Sequence, residues 1–198
     1  IEGSAAPITV PGDLWDFARG LERERCRGEP EPEPPGGRAC FVDVAGFVRV
    51  GPRRAALVCH FVAEGFATDD VDDDDGEVHC ALVTRGSSAW ETRLADAFTH
   101  ETSDSAVTAT LRIRDVQPGG EPEILVDVEC MWERSGSGGS TSATDGELLV
   151  CGDPEGDAPF VCAHVPTKVD RFSDDETVEE HATVTFRDEG LVSIHGRM

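Results

Sequence analysis

From Ala106 to Val116 the chain alternates apolar and polar positions: Val107, Ala109, Leu111 and Ile113 against Thr108, Thr110, Arg112 and Arg114. A period of two places these sets on opposite faces, so the segment predicts a half-buried strand with one wet face. Ile124 to Trp132 repeats the pattern, with Ile124, Val126, Val128 and Cys130 opposite Leu125, Asp127 and Glu129. Gln117-Pro118-Gly119-Gly120 lies between the two runs and predicts a hairpin with a long turn. Further strands are predicted over Ala39–Val50, Ala55–Val62, Val78–Thr84, Leu148–Cys151, Phe160–His164, Thr177–Phe186 and Leu191–His195.

Two segments read instead with helical spacing. Leu14, Phe17, Ala18 and Leu21 recur at i, i+3, i+4 and i+7 after Pro11-Gly12-Asp13, with Asp13 as the candidate N-cap and Arg23 and Arg25 at the far end. The second is predicted from Ser88, where Ser88 and Glu91 form a capping-box pair before Trp90, Leu94, Ala97 and Phe98. Loops are set by composition. Glu29–Gly37 alternates Glu and Pro, which removes the N–H donors a helix or central strand needs. Ser135–Gly146 is rich in Gly, Ser and Thr and predicts a flexible surface loop. No repeat or shift in composition marks a boundary. The expectation is one mainly-β domain over residues 1–198: a β-sandwich of roughly nine strands with two short helices and long acidic loops near 29–37 and 69–77.

Charge sharpens this picture. The formal net charge is −23, and seven of the nine residues from Asp69 to Glu77 are carboxylates: Asp69, Asp70, Asp72, Asp73, Asp74, Asp75 and Glu77. A run this dense must stay solvated, because desolvating unpaired charges is costly. Its field repels nucleic acid and anionic lipid and attracts basic proteins or divalent cations. Glu29, Glu31 and Glu33, and Asp174, Asp175 and Glu176, extend the same bias. No apolar run approaches the roughly 20 residues a membrane span needs. The segment opens Ile1-Glu2-Gly3-Ser4, without the charged and apolar regions of a leader, so no signal peptide is expected within it.

Seven cysteines, Cys26, Cys40, Cys59, Cys80, Cys130, Cys151 and Cys162, are spread widely, and none forms a C-x-x-C pair. That spacing favours structural disulfides in an oxidising compartment over zinc ribbons or thioredoxin-type chemistry. Their odd number leaves one thiol over. A bond between Cys26 and Cys40, or from each to the sheet, would tether the proline-rich loop.

Catalytic signatures are missing: there is no G-x-S-x-G elbow, Walker A loop or G-x-G-x-x-G after a strand. Cysteine stands beside histidine at Cys59-His60 and His79-Cys80, and near it at Cys162 and His164. On a strand, adjacent residues point to opposite faces, so Cys59 is expected in the core and His60 toward solvent; only Cys162 and His164 share a face. Tested as an EF-hand with Gly76 at position 6, the acidic run puts Val71 at position 1 and Leu82 at position 12, and both fail as ligands. The residues therefore predict no catalytic site, no metal site and no cofactor. The candidate site is a partner-binding one, Asp69, Asp70, Asp72–Asp75 and Glu77, where carboxylates meet Arg and Lys of a basic protein. An extracellular metal-dependent hydrolase and a non-catalytic envelope- or capsid-associated domain are the readings from other classes.

Ala106-Val-Thr-Ala-Thr-Leu-Arg-Ile-Arg-Asp-Val-Gln-Pro-Gly119 and Ile124-Leu-Val-Asp-Val-Glu-Cys130, taken with the acidic run, resemble the secreted chemokine-binding proteins of poxviruses. The nearest type is the parapoxviruses, whose GC-rich coding suits a chain with no Asn or Tyr and one Lys. The resemblance implies a β-sandwich, secretion, and sequestration of basic host chemokines through an acidic face and loop. The related parapoxvirus inhibitor of GM-CSF and interleukin-2 implies the alternative ligand class. The two predicted helices and the odd cysteine count depart from that family's pattern.

Overall fold

The computed structural model describes residues 9–26, 39–50, 52–63, 76–101, 104–116, 122–136, 139–152, 160–173, 177–186 and 192–197. They form one helix and two antiparallel sheets. The helix, α1 (Gly12–Arg25), comes first. Four strands, β1 (Ala39–Val50), β2 (Arg53–Ala63), β3 (Gly76–Arg85) and β4 (Trp90–Glu101), make sheet A. Sheet B contains β5 (Asp104–Arg114), β6 (Glu123–Gly136), β7 (Gly139–Gly152), β8 (Val161–Ser173), β9 (Thr177–Phe186) and β10 (Val192–Arg197). In both sheets every hydrogen-bonded neighbour is also the neighbour in sequence, so each sheet is a simple meander.

The sheets close on one apolar core. Leu57, Cys59, Val78, Cys80 and Leu82 from sheet A pack with Val107, Leu111, Val126, Val128, Cys130 and Leu149 from sheet B. The alternation read in β5 and β6 is the one observed: Val107, Leu111, Ile124, Val126, Val128 and Cys130 are buried, while Thr108, Thr110, Arg112 and Glu129 are exposed. The sheets approach closely at Gly46 of β1, where a Cβ would lie 2.3 Å from the Ala109 carbonyl oxygen of β5. Only glycine fits there.

α1 lies on the outer face of sheet A. Leu14 and Ala18 sink against Ala56, Val58, Val83 and Trp90. The helix runs where its apolar spacing placed it, but its cap differs. Pro11 is the N-cap, its carbonyl accepting from the Leu14 and Trp15 N–H groups, and no side chain caps the end. Asp13 is drawn instead into an ion pair with Arg85 of β3, which ties the helix to the sheet.

Two sequence expectations are corrected. The segment from Ser88 is strand, not helix. Gly86 N–H donates to the Ala89 carbonyl in a turn, and β4 follows from Trp90. Its helical spacing comes from irregularities in the β3–β4 register on either side of Leu82. There β4 carries extra residues, including Asp96 in the left-handed region at φ 53°, which Asp tolerates better than most residues. Each bulge breaks the period of two, so Trp90 packs under the helix while Leu94 and Phe98 turn to the core. Ser135–Gly146, expected as a flexible loop, is also strand over its described residues: β6 continues to Gly136, β7 begins at Gly139, and Ser135 pairs with Ser140. Pairing along a long hairpin overrides the weak strand propensity of Gly and Ser. The described strands number ten, one more than expected.

Three disulfides are present: Cys26–Cys40, Cys59–Cys80 and Cys151–Cys162. The last two join residues directly opposite each other across the β2–β3 and β7–β8 pairs. Cys130 is the remaining thiol and is buried. Disulfides of this number fit an extracellular protein. Among the described residues, no helix is long and apolar enough to cross a membrane.

Candidate functional site

Asp69, Asp70, Asp72, Asp73, Asp74 and Asp75 lie outside the described residues, as does the proline-rich stretch 29–37. The acidic run connects β2 to β3, whose ends meet in the pair Ala63 and Gly76, so it leaves and rejoins one end of sheet A. Glu77 is described and exposed, but it is already engaged. Its carboxylate lies 3.0 Å from His79 Nε2, and His79 Nδ1 lies 3.3 Å from Asp96 on β4. An imidazole between two carboxylates donates to both only when protonated. Glu77 therefore belongs to a local ionic cluster as well as to the run.

Sheet B carries a second acidic surface that sequence reading located only in part. The register aligns Glu129, Gly146, Lys168 and His181 in one row across β6, β7, β8 and β9. The adjacent row holds Met131, Thr144, Asp170 and Glu179. These rows lie on the face away from the core, because Cys130 and Val128, on either side of Glu129, point inward. Lys168, the only lysine of the chain, lies between two carboxylates, 3.3 Å from Asp170 and 3.9 Å from Glu129. Gly146 makes room for it: a Cβ there would come within 2.7 Å of Lys168 Cβ. His181 Nε2 meets the same Asp170 at 3.0 Å. Lys168 and His181 thus share one carboxylate, while Glu129 and Glu179 are exposed and Asp127, half-exposed, lies 3.7 Å from Arg112.

Beyond His181, β9 is no longer paired with β8. Val184 instead packs with Val116, Leu125, Leu148, Val150 and Val165. The result is a groove of about 400 Å³ on sheet B, with Arg112, Arg114 and Asp127 on one wall and Thr183 and Thr185 on the other. The alternation in β5 and β6 predicted a wet face there; the curl of β9 had no sequence signal.

One concavity opposes the general charge. Arg53, Arg54, Arg85 and Arg93 line a cavity of about 390 Å³ with Ile113, Ile124 and Phe160. Arg85 pairs with Asp13, and Arg93 lies over the Phe160 ring at 5.1 Å.

The cysteine and histidine neighbours sort as strand geometry requires. Cys59 is inside and bonded to Cys80. His60 points the other way, but not to open solvent: it lies half-buried in a crevice beside Leu21 and Arg25 of α1. His164 turns to Glu147 at 3.0 Å, while Cys162 is bonded to Cys151. The arrangement nearest to a catalytic one is His100, Asp145 and Trp132, in which Asp145 accepts from Trp132 Nε1 at 2.9 Å and meets His100 Nε2 at 3.1 Å. It joins β4 to β7 and so ties the two sheets together. The Cys130 thiol beside it is buried. Burial, and secondarily the Asp145 carboxylate, push the Cys130 pKa from 9.0 up to about 12.

Comparison with family models, with curated proteins and with solved structures gives no match.

Proposed function

We propose that this chain is a secreted binding protein that captures a basic protein ligand, of the chemokine or related cytokine kind, through its acidic surface. The observation that carries this reading is the solvent-facing side of sheet B, where Glu129 and Glu179 stand exposed and Asp127 half-exposed beside the Lys168–Asp170 pair. Exposed carboxylates on a rigid sheet suit the guanidinium and ammonium groups of a basic partner, bidentately for arginine. The net charge of −23 adds a long-range field, and the run from Asp69 to Glu77 is its densest source. Such a run speeds encounter more than it tightens the complex. The disulfides and the antiparallel sandwich suit the extracellular setting in which such ligands are met, and the resemblance of Ala106–Gly119 and Ile124–Cys130 to poxvirus chemokine binders points the same way.

The test is binding to a panel of basic chemokines at low and physiological salt. Binding should weaken steeply as salt rises, because exposed charges are screened over about 8–10 Å. Replacing Asp72, Asp73, Asp74 and Asp75 by Ser should slow association while leaving dissociation nearly unchanged. Glu129→Gln combined with Asp127→Asn should speed dissociation. Absence of binding to every basic ligand at low salt overturns the reading.

A further inference from the structure

Cys26, Cys40 and His60 form the one group of three candidate ligands found among the described residues, their ligand atoms all within 4.8 Å of one another. They come from three elements. Cys26 is the C-cap of α1, its N–H donating to the Glu22 carbonyl. Cys40 lies near the start of β1, and His60 projects from β2 with Nε2 3.0 Å from Cys40 Sγ. All three are half-buried. Both cysteines of the Cys26–Cys40 bond are half-buried, whereas Cys59–Cys80 is buried at both ends and Cys151–Cys162 is buried at Cys151 and half-buried at Cys162. Cys26–Cys40 is thus the one disulfide with neither cysteine fully buried.

We propose that Cys26, Cys40 and His60 form a zinc site that is closed while the disulfide is intact and opens on its reduction. The reductant is a dithiol. One of its thiolates attacks Cys26 Sγ, the Cys26–Cys40 bond breaks, and Cys40 leaves as a thiolate beside the His60 imidazole. The second thiol of the reductant then resolves the mixed disulfide, releasing Cys26 and leaving the reductant oxidised. Two electrons and two protons pass to the protein, and zinc displaces two protons as it takes both sulfurs as thiolates. Two thiolates and one imidazole are a common zinc donor set, with bonds of about 2.3 Å to sulfur and about 2.0 Å to nitrogen. Those lengths hold tetrahedral ligand atoms roughly 3.5–4 Å apart, so the two sulfurs, bonded to each other in the oxidised protein, move apart on reduction to reach that spacing. The inference does not depend on which partner the acidic surface binds.

The full chain is treated with a limiting dithiol, the exposed thiols are alkylated in one aliquot and counted by peptide mass, and Co²⁺ or Zn²⁺ is titrated into another. Alkylation is expected at Cys26 and Cys40 alone. The reduced protein should bind one metal per chain, with a thiolate-to-cobalt charge-transfer band, and the oxidised protein none. His60→Ala, checked for native circular dichroism, should lose the band, and Cys26→Ser combined with Cys40→Ser should lose it under any redox condition. Three results would each overturn the proposal: labelling at the other disulfides under the same conditions, no metal bound by the reduced protein, or an unchanged band in His60→Ala.

Discussion

Beneath α1, β2 buries five consecutive residues, Ala55 to Cys59, at 2% exposure or less. Across the core, β5 turns every second residue inward, Val107 and Leu111 buried and Ala109 and Ile113 partly so, and leaves Thr108 and Thr110 to solvent. β2 is an inner strand of its meander and β5 the edge strand of its own; one is covered on both faces and the other on one. A strand whose small and apolar residues run on without alternation needs a partner on each side, and α1 supplies the second for sheet A. A strand that alternates needs only the core, and its outer side is left for other use. The outer side of sheet B along β5 is thus open where the outer side of sheet A is covered.

The strongest way to break this contrast is to empty the doubly covered strand. Leu57→Ala should cost about 2–5 kcal/mol, measured by urea denaturation, because the cavity it leaves in the core has little freedom to collapse. Leu14→Ala should approach that cost from the helix side, and a cost below about 1 kcal/mol would show that α1 is a loose cover. Gly46→Ala, which forces a Cβ against the Ala109 carbonyl, should destabilise by about 1–3 kcal/mol. Thr110→Ala, on the wet face, should stay within about 0.5 kcal/mol.

Cys130 offers a pH test of how tightly the core closes at sheet B. Its folded pKa is raised, from 9.0 to about 12, so the folded protein holds this proton more tightly than the unfolded chain does. The associated stability is complete below pH 9.0 and is lost as the pH climbs toward 12. Native protein at pH 8 should resist iodoacetamide at Cys130 and react there only after denaturation. Rapid native labelling would show that the core opens.

The fold was legible wherever one period ruled a whole element. The alternation in β5 and β6 and the i, i+3, i+4, i+7 set in α1 each marked a surface that packs as read. Reading failed at β4, because bulged residues around Asp96 mimic helical spacing and no single-strand pattern shows a bulge. It failed at Ser135–Gly146, because a Gly- and Ser-rich sequence carries no strand signal and only pairing with the neighbouring strand makes it one. For the candidate site, density of charge identified Asp69–Glu77, but the row of Glu129, Gly146, Lys168 and His181 exists only through strand register. Those residues are distant in sequence, and nothing local relates them.

The disulfides carry a consequence for how the chain reaches this fold. Cys26–Cys40, Cys59–Cys80 and Cys151–Cys162 each join cysteines that are consecutive in the sequence, with separations of 14, 21 and 11 residues. Short closures are the least costly in entropy, so a chain oxidised as it emerges makes its native bonds in order, each inside a local unit. Only Cys130 stands in the way, emerging before Cys151 and able to take it first. Its enclosure between the sheets as β5 and β6 pair removes that competitor, so oxidation in order of emergence leads to the native pairing without reshuffling.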